Sequence, residues 1–402
     1  LSKKIIVCGG GASGFFTAIN IASKHPDYQL ILLEKTNKVL SKVKISGGGR
    51  CNVTNARSKP SDLVKFYPRG QKKLHSIFKS FSTSDMVEWL DKSGVKTHTE
   101  ADLRMFPVSN SSQTIIDCFM EAAHETGVEI RKNCGLTGFS QTKKGWKVET
   151  QQGETLEADA LVIATGSAPS VWKILGKMGL AVEKAVPSLF TFNIKDSRLQ
   201  GLSGMSFGDV SIRISGTKLE EQGPLLITHW GLSGPAVLKL SAWGARWMEE
   251  QKYRFNVQLN FLPTSNFEQF REELLSFKAT HPGRKVKNFQ KEEIPKRYWE
   301  CILSFLDINP DLTFGELPNK MINKLTVEIM QAGFEVRGKS TFKEEFVTCG
   351  GVALAEVDLK TMEAKRFPGL YFSGEVLDID ALTGGFNFQS CWSTAWLISE
   401  MI

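Results

Sequence analysis

Lys3-Lys4-Ile5-Ile6-Val7-Cys8-Gly9-Gly10-Gly11-Ala12-Ser13-Gly14, followed by an acid at Glu34, decides the fold of this chain. The apolar run predicts a strand feeding Gly9-x-Gly11-x-x-Gly14, and the glycines open an apolar helix from about Ala12 to Ser23. A second strand, Gln29 to Leu33, ends on Glu34, twenty residues beyond Gly14. Gly9 permits the tight turn, Gly11 lets backbone approach a pyrophosphate, and Gly14 lets helix pack on strand. The helix N-terminus at Ala12 and Ser13 meets phosphate charge, while Glu34, with Lys35 beside it, bonds ribose hydroxyls. Strand, glycines, helix, strand and acid in register predict a dinucleotide-binding α/β domain.

At 402 residues the chain has room for two or three domains. No apolar run approaches the ~20 residues a membrane span needs, so no membrane association is expected. The first strand starts almost at residue 1, which predicts no signal peptide. Seven cysteines, scattered, odd in number and without a C-x-x-C pair, fit the reduced thiols of a cytoplasmic protein. Six histidines without clustered spacing predict no metal centre. The net charge of +7 tells less than its placement: Lys35 to Lys73 holds eleven basic residues and one acid, Asp62. That segment therefore carries +10 and the remainder −3. It faces an anionic partner, or it is a solvated loop lending one or two cations to cofactor phosphates.

Texture changes along the chain predict its division. Helices are expected around Ser84–Lys92 and Thr114–Glu125, then a strand at Val128–Arg131. Two strands, Trp146–Thr150 and Leu156–Thr165, pair across a polar turn near Gly153. The second ends in Ala164-Thr165-Gly166, where a strand end can lie over a dinucleotide. After Pro187 short alternating runs separated by glycines predict a small antiparallel barrel or sandwich over 191–262. Residues 263–330 carry apolar positions at helical spacing (Phe267, Phe270, Leu274, Phe277; Ile294, Tyr298, Ile302, Phe305; Met321, Leu325, Ile329), which predicts a three-helix insert. Strand character returns near Phe346–Cys349. The expected boundaries are 1–190, 191–262, 263–330, 331–346 and 347–402.

The last fifty residues repeat the strand–glycine theme: Gly369 to Glu375, a turn with Asp378 and Asp380, and Gly384-Gly385 opening a helix over Ser390–Ile402. A nicotinamide enzyme needs only the first nucleotide-binding unit. A flavin enzyme of the glutathione-reductase type closes that domain with a C-terminal segment, whose acid holds the ribityl chain. Its last helix points at the pyrimidine carbonyl, where reduced flavin gathers negative charge. Asp378 or Asp380 fits the acid, and the backbone from Gly384 through Asn387 to Phe388 fits the helix start, so Gly374 and Glu375 would border FAD.

Gly9 to Gly14, Ser46-Gly47-Gly48-Gly49-Arg50-Cys51-Asn52-Val53-Thr54-Asn55, Thr228 to Pro235, Thr348 to Val352 and Leu382 to Asn387 together resemble BaiN/YhiN-type flavoproteins. These are NAD(P)/FAD-dependent oxidoreductases, some of them aminoacetone oxidase-like. The resemblance covers essentially the whole chain. It implies a glutathione-reductase-like FAD-binding domain built from both termini, an antiparallel β-barrel domain inserted in it, and a small helical insert in the barrel. It also implies that Gly48, Gly49, Arg50, Cys51 and Asn52 lie beneath the flavin. One departure is Ser167, where the family has a second glycine after Ala-Thr-Gly.

The chemistry is narrower than the fold. Disulfide reductases carry a second cysteine five residues beyond the one in this loop, and position 56 is Ala, which excludes a dithiol relay at Cys51. No second G-x-G-x-x-G follows residue 166, so NAD(P)H would dock transiently as electron donor. Hydride transfer at flavin N5 needs alignment more than acid–base help. If a proton also moves, Cys51, beside Arg50, and His229, ahead of a helix start at about Ala236 with Ser233 as anion donor, are the candidate catalytic residues. Three functions stay open: an FAD oxidoreductase for a small-molecule substrate, reduction of uridine to dihydrouridine in structured ribosomal RNA, and a non-catalytic flavin sensor or assembly module. The RNA reading is one the resemblance implies, since the family has a suggested link to ribosomal dihydrouridine formation, and the segment 35–73 suits it, with Phe66, Tyr67 and Phe78 as stacking residues. The oligomeric state is left open.

Overall fold

The computed structural model describes residues 2–340 and 347–402, and it divides into two compact units, 1–186 with 347–402, and 187–346. The first unit is built on a sheet of β1 (Lys4–Cys8), β2 (Gln29–Leu33), β3 (Glu129–Arg131), β4 (Ala160–Ile163), β5 (Val357–Asp358), β6 (Glu363–Ala364) and β7 (Leu370–Phe372), in the order β5-β6-β7-β4-β1-β2-β3. The five strands from β7 to β3 run parallel, with Val7 opposite Val162 and Leu32, and Val162 opposite Tyr371. β5 and β6 add antiparallel edges. A parallel strand buried on both faces reads as a continuous apolar run, and Ile5-Ile6-Val7-Cys8, Leu30 to Leu33 and Ala160 to Ile163 are all buried. Helix α1 (Ala12–Lys24) packs against the C-terminal helix α2 (Phe386–Met401), where Phe16 meets Trp392 edge-on at 5.4 Å. One sheet thus contains strands from both ends of the chain.

Two expectations change here. The run Leu156–Thr165 is two strands. Thr155–Ala158 alternates exposed and buried residues and closes a three-stranded meander with 136–142 and 145–150, whereas the wholly buried 160–163 becomes β4. The C-terminal helix starts at Phe386 instead of Ser390, because Gly385 at φ 87° already supplies the turn into it.

The second unit holds an antiparallel seven-stranded sheet in the order Ala332–Arg337, Arg254–Asn260, Ser206–Ile214, Glu220–Ile227, Gly231–Ser233, Thr191–Asn193, Lys339–Ser340. The two outermost strands are neighbours in sequence, joined through Gly338, whose carbonyl accepts from Asn193 N at 3.0 Å and whose N–H donates to Tyr253 O at 2.8 Å. Helices Phe267–Thr280, Lys296–Phe305 and Asn319–Met330 lie between the second and first of these strands in chain order. The strand segment expected over 331–346 falls partly on residues 341–346, outside the described residues, as does Phe346.

Arg198 is the polar centre of this unit. Its guanidinium bonds Asp196 (2.7 Å), Glu328 (2.6 Å) and Gly333 O (2.6 Å) and lies 4.0 Å over the Phe334 ring. Burial alone would raise the Asp196 pKa, but bonds from Arg198 outweigh it and hold the carboxyl below its ordinary value. A depressed carboxylate contributes stability above its unfolded pKa and loses it as pH falls through the folded one. Removing one partner of a buried pair costs about 3–5 kcal/mol. Arg198→Met should therefore unfold at lower urea than the wild type at pH 6, with the gap narrowing at pH 3; an equal gap at both values would refute the assignment.

Candidate functional site

The loops leaving the C-terminal ends of β1, β4 and β7 form the candidate cofactor cradle, as ligands of open parallel sheets require. Two glycines there are demanded by the protein itself. Gly9 has φ 119°, and a Cβ on it would lie 2.3 Å from Ala164 O; a Cβ on Gly14 would lie 1.9 Å from Gly9 O. Gly11 differs: no protein atom lies within 4 Å of where its Cβ would stand. Gly48 and Gly49 also border open space, and Gly166 (φ 61°) has only the Glu375 carboxylate, at 3.7 Å. Beside Gly166 the Thr165 hydroxyl is buried without a hydrogen-bond partner. A glycine with room for a side chain and an orphaned buried hydroxyl are what a dinucleotide resting on this loop would leave.

Glu34 ends β2 as expected. Its Oε1 accepts from both Thr36 N and Thr36 Oγ1, each at 2.9 Å, while Oε2 accepts from Gly10 N at 2.9 Å and keeps a lone pair that a ribose hydroxyl could use. Ala12 and Ser13 open α1, whose first turn carries no acid. Lys35 is exposed.

The C-terminal segment closes on this loop. Ser13 and Ser373 share a hydrogen bond, and a Cβ on Gly374 (φ 72°) would lie 2.9 Å from the Ser13 Cβ. Gly374 N donates to Thr394 Oγ1 at 3.0 Å, and Glu375 pairs with Lys42 at 2.5 Å. Of the acids expected to hold a ribityl chain, Asp380 is fully buried and bound through both oxygens by Arg69, which makes it an anchor for the loop before α2. Asp378 is half-buried, its N–H donating to Val352 O at 2.9 Å. Glu375, on the short turn Gly374–Val376 that follows β7, is the acid that faces Gly166.

The start of α2 is fixed by the glycine-rich loop. A Cβ on Gly385 would lie 2.3 Å from Thr54 O. Asn55 Nδ2 donates to Gly384 O at 3.0 Å, and Thr54 Oγ1 donates to Gln389 Oε1 at 2.6 Å. The Asn52 amide, oriented to satisfy both ends, accepts from Gly385 N and donates to Thr54 O, each at 2.9 Å. Asn387 spends its side chain on Ala381, accepting from its N at 2.9 Å and donating to its O at 3.0 Å. It shapes the loop, and the helix presents backbone N–H groups and its positive end.

Several side chains serve differently from the expectation. Cys51 is buried at φ 61°, and burial pushes its thiol up to about 12, so it stays protonated. Arg50 does not favour a thiolate: it pairs with Glu100 at 2.6 Å and lies 4.0 Å over the Phe106 ring. Tyr67 and Phe78 are fully buried, and Phe66 stacks on Phe386 at 4.3 Å, so the first two cannot stack on bases. Ser233 Oγ accepts from Thr191 Oγ1 at 3.1 Å. His229 belongs to the second unit, exposed on the turn between strands 220–227 and 231–233. The pairs Arg69–Asp380 and Lys42–Glu375 went unread because more than three hundred residues separate their members, and no local signal marks them.

The cradle makes one sharp prediction. Because nothing of the protein approaches a Gly11 side chain, Gly11→Val should leave circular dichroism and apoprotein melting unchanged yet yield colourless protein. A yellow variant would show that the space beside Gly11 is not the cofactor's.

A family model described as HI0933-like protein Rossmann domain matches residues 3–401. The chain is 30% identical over 406 residues to a ribosomal RNA dihydrouridine synthase of Escherichia coli (98% of this chain, 96% of that protein). It is 25% identical over 405 residues to a 3-dehydro-bile acid delta(4,6)-reductase of Clostridium scindens (98% of each). Among solved structures, 3-ketosteroid-delta4-(5alpha)-dehydrogenase from Rhodococcus jostii shares the fold at TM-score 0.51 and 13% identity, covering 99% of this chain and 96% of that one. Among the described residues no helix is long and apolar enough to cross a membrane. With its dinucleotide fingerprint and both termini in one sheet, the chain belongs to the HI0933-like Rossmann family of FAD-dependent oxidoreductases.

Proposed function

We propose that this protein reduces a carbon–carbon double bond conjugated to a carbonyl, and that its substrate is uridine in ribosomal RNA, which becomes dihydrouridine. Reduced FAD held in the cradle would supply the hydride for one carbon of that bond, and the proton for the other would come from solvent. NAD(P)H is the proposed electron donor, docking without a Rossmann domain of its own. The names of the two relatives share this chemistry, since both a dihydrouridine synthase and a delta(4,6)-reductase saturate a bond within an unsaturated ring. The cytoplasm is the compartment that suits both the substrate and the reduced cysteines.

The observation that carries the RNA substrate is how the basic segment spends its charge. Arg50, Arg69, Lys42 and Lys65 are engaged by Glu100, Asp380, Glu375 and Asp62. Lys35, Lys38, Lys44, Lys59, Lys72 and Lys73 stay exposed. Six exposed lysines within one stretch of the sequence of the FAD-binding unit are cations free to meet phosphates. The residues of the cradle then bind and orient: Glu34 the ribose, the α1 N-terminus the pyrophosphate, Glu375 the ribityl chain, and the α2 N-terminus the flavin pyrimidine. The same reading takes the antiparallel sheet of the second unit as an inserted barrel, supported by the continuity of its outermost strands through Gly338, with the three helices as its insert.

Two experiments test this. After anaerobic reduction, ribosomal RNA lacking dihydrouridine should reoxidise the flavin and gain the modified base. Reoxidation by conjugated ketones but not by RNA would transfer the assignment to a small-molecule substrate. Second, Lys59→Glu/Lys72→Glu/Lys73→Glu should keep its flavin, bind RNA more weakly and show a shallower salt dependence, the slope falling by roughly 0.7 for each phosphate that is no longer neutralised. Equal affinity at every salt concentration would remove this segment from the RNA surface.

A further inference from the structure

We propose that the tip formed by His229 and Trp230, with Lys195 beside it, is a second RNA contact, on which Trp230 stacks against an unpaired base. The inference rests on the reading of RNA as substrate and concerns the second unit alone. Thr228 to Gly231 is a closed turn: Thr228 N donates to Gly231 O at 2.8 Å, Trp230 N donates to Thr228 Oγ1 at 3.3 Å, and Ile194 N donates to Trp230 O at 2.8 Å. Gly231 (φ 146°) locks it, since a Cβ there would lie 2.3 Å from Phe192 O. His229 and Trp230 occupy the two central positions, where small polar residues are usual, and neither needs positive φ.

Backbone geometry therefore does not require aromatic residues here, and the core does not use them. Trp230 is 63% exposed, the most exposed of the large apolar side chains among the described residues. The fold forgoes the stabilisation that burying an indole would contribute at this position. The strand pairing of Asn193 with Gly231 continues through Ile194 and Trp230, which brings Lys195, also exposed, to the same end of the strand pair. An exposed indole on a backbone turn fixed by three hydrogen bonds, with a lysine at the same end of the strand pair and an imidazole next to it in sequence, suits a base and its phosphate. This surface supplies the stacking that buried Tyr67 and Phe78 cannot.

The test compares wild type, Trp230→Ala, Trp230→Phe and Lys195→Glu, all flavin-loaded, for binding of a uridine-containing single-stranded RNA and of ribosomal RNA lacking dihydrouridine. Trp230→Ala should lose about 5- to 150-fold in affinity, the span of one base–aromatic stack, with flavin content and photoreduction unchanged. Trp230→Phe should recover most of the loss, and Lys195→Glu should weaken binding with a reduced salt slope. Wild-type protein that binds and reduces RNA while Trp230→Ala binds equally well would overturn this inference alone. Wild-type protein with no affinity for either RNA would overturn the functional reading and this contact with it.

Discussion

The C-terminal helix must be seated on the N-terminal nucleotide-binding unit, and the rest of the first unit depends on that contact. Neither end of the chain forms the cradle alone. β1 leads into the glycine turn and β7 into the turn that carries Glu375, and β4 lies between them in the sheet. The seat is polar and specific as well as apolar. Ser13 meets Ser373, Gly374 reaches Thr394, and the loop from Asn52 to Asn55 holds the backbone at Gly384 and Gly385. Buried polar groups are costly unless each finds a partner, so such a network admits one arrangement and penalises a shifted one.

Close approach explains the glycines better than flexibility does. Gly9, Gly14, Gly374 and Gly385 stand where a methyl group would meet backbone or a packed side chain at under 3 Å. Gly11, Gly48 and Gly49 stand where it would meet nothing of the protein. The first group is required by the fold itself, and the second is not required by any packing within the protein. A sequence motif merges the two, whereas the space around each position separates them.

That contrast also marks how far the sequence could be read. The strand–glycine–helix opening, Glu34, and the helices at 267–280, 296–305 and 319–330 follow from period and punctuation, and the structure has them. Two kinds of feature were not legible. One is the identity of neighbours distant in sequence: Arg69 reads as one cation of a basic stretch until Asp380 is found against it, and Asp380 then reads as an anchor. The other is burial. Tyr67 and Phe78 have the composition of a stacking surface, yet both are core, and Cys51 beside Arg50 has the look of a thiolate that its burial forbids.

Cys51 shows how the cradle trades chemistry for shape. It follows Gly47, Gly48 and Gly49, all left-handed, and is itself left-handed at φ 61°, a conformation that costs a side chain roughly 1 kcal/mol or more. Its N–H donates to Ser46 O at 2.9 Å, which closes the loop on itself. With the thiol protonated and buried, the residue acts through its backbone, turning the chain so that Asn52, Thr54 and Asn55 reach α2. An enzyme whose cofactor carries the electrons has little need of a reactive sulfur beneath it. What the structure shows at Cys51 is a left-handed turn pinned to the start of α2, a fixed piece of backbone in place of a reactive side chain.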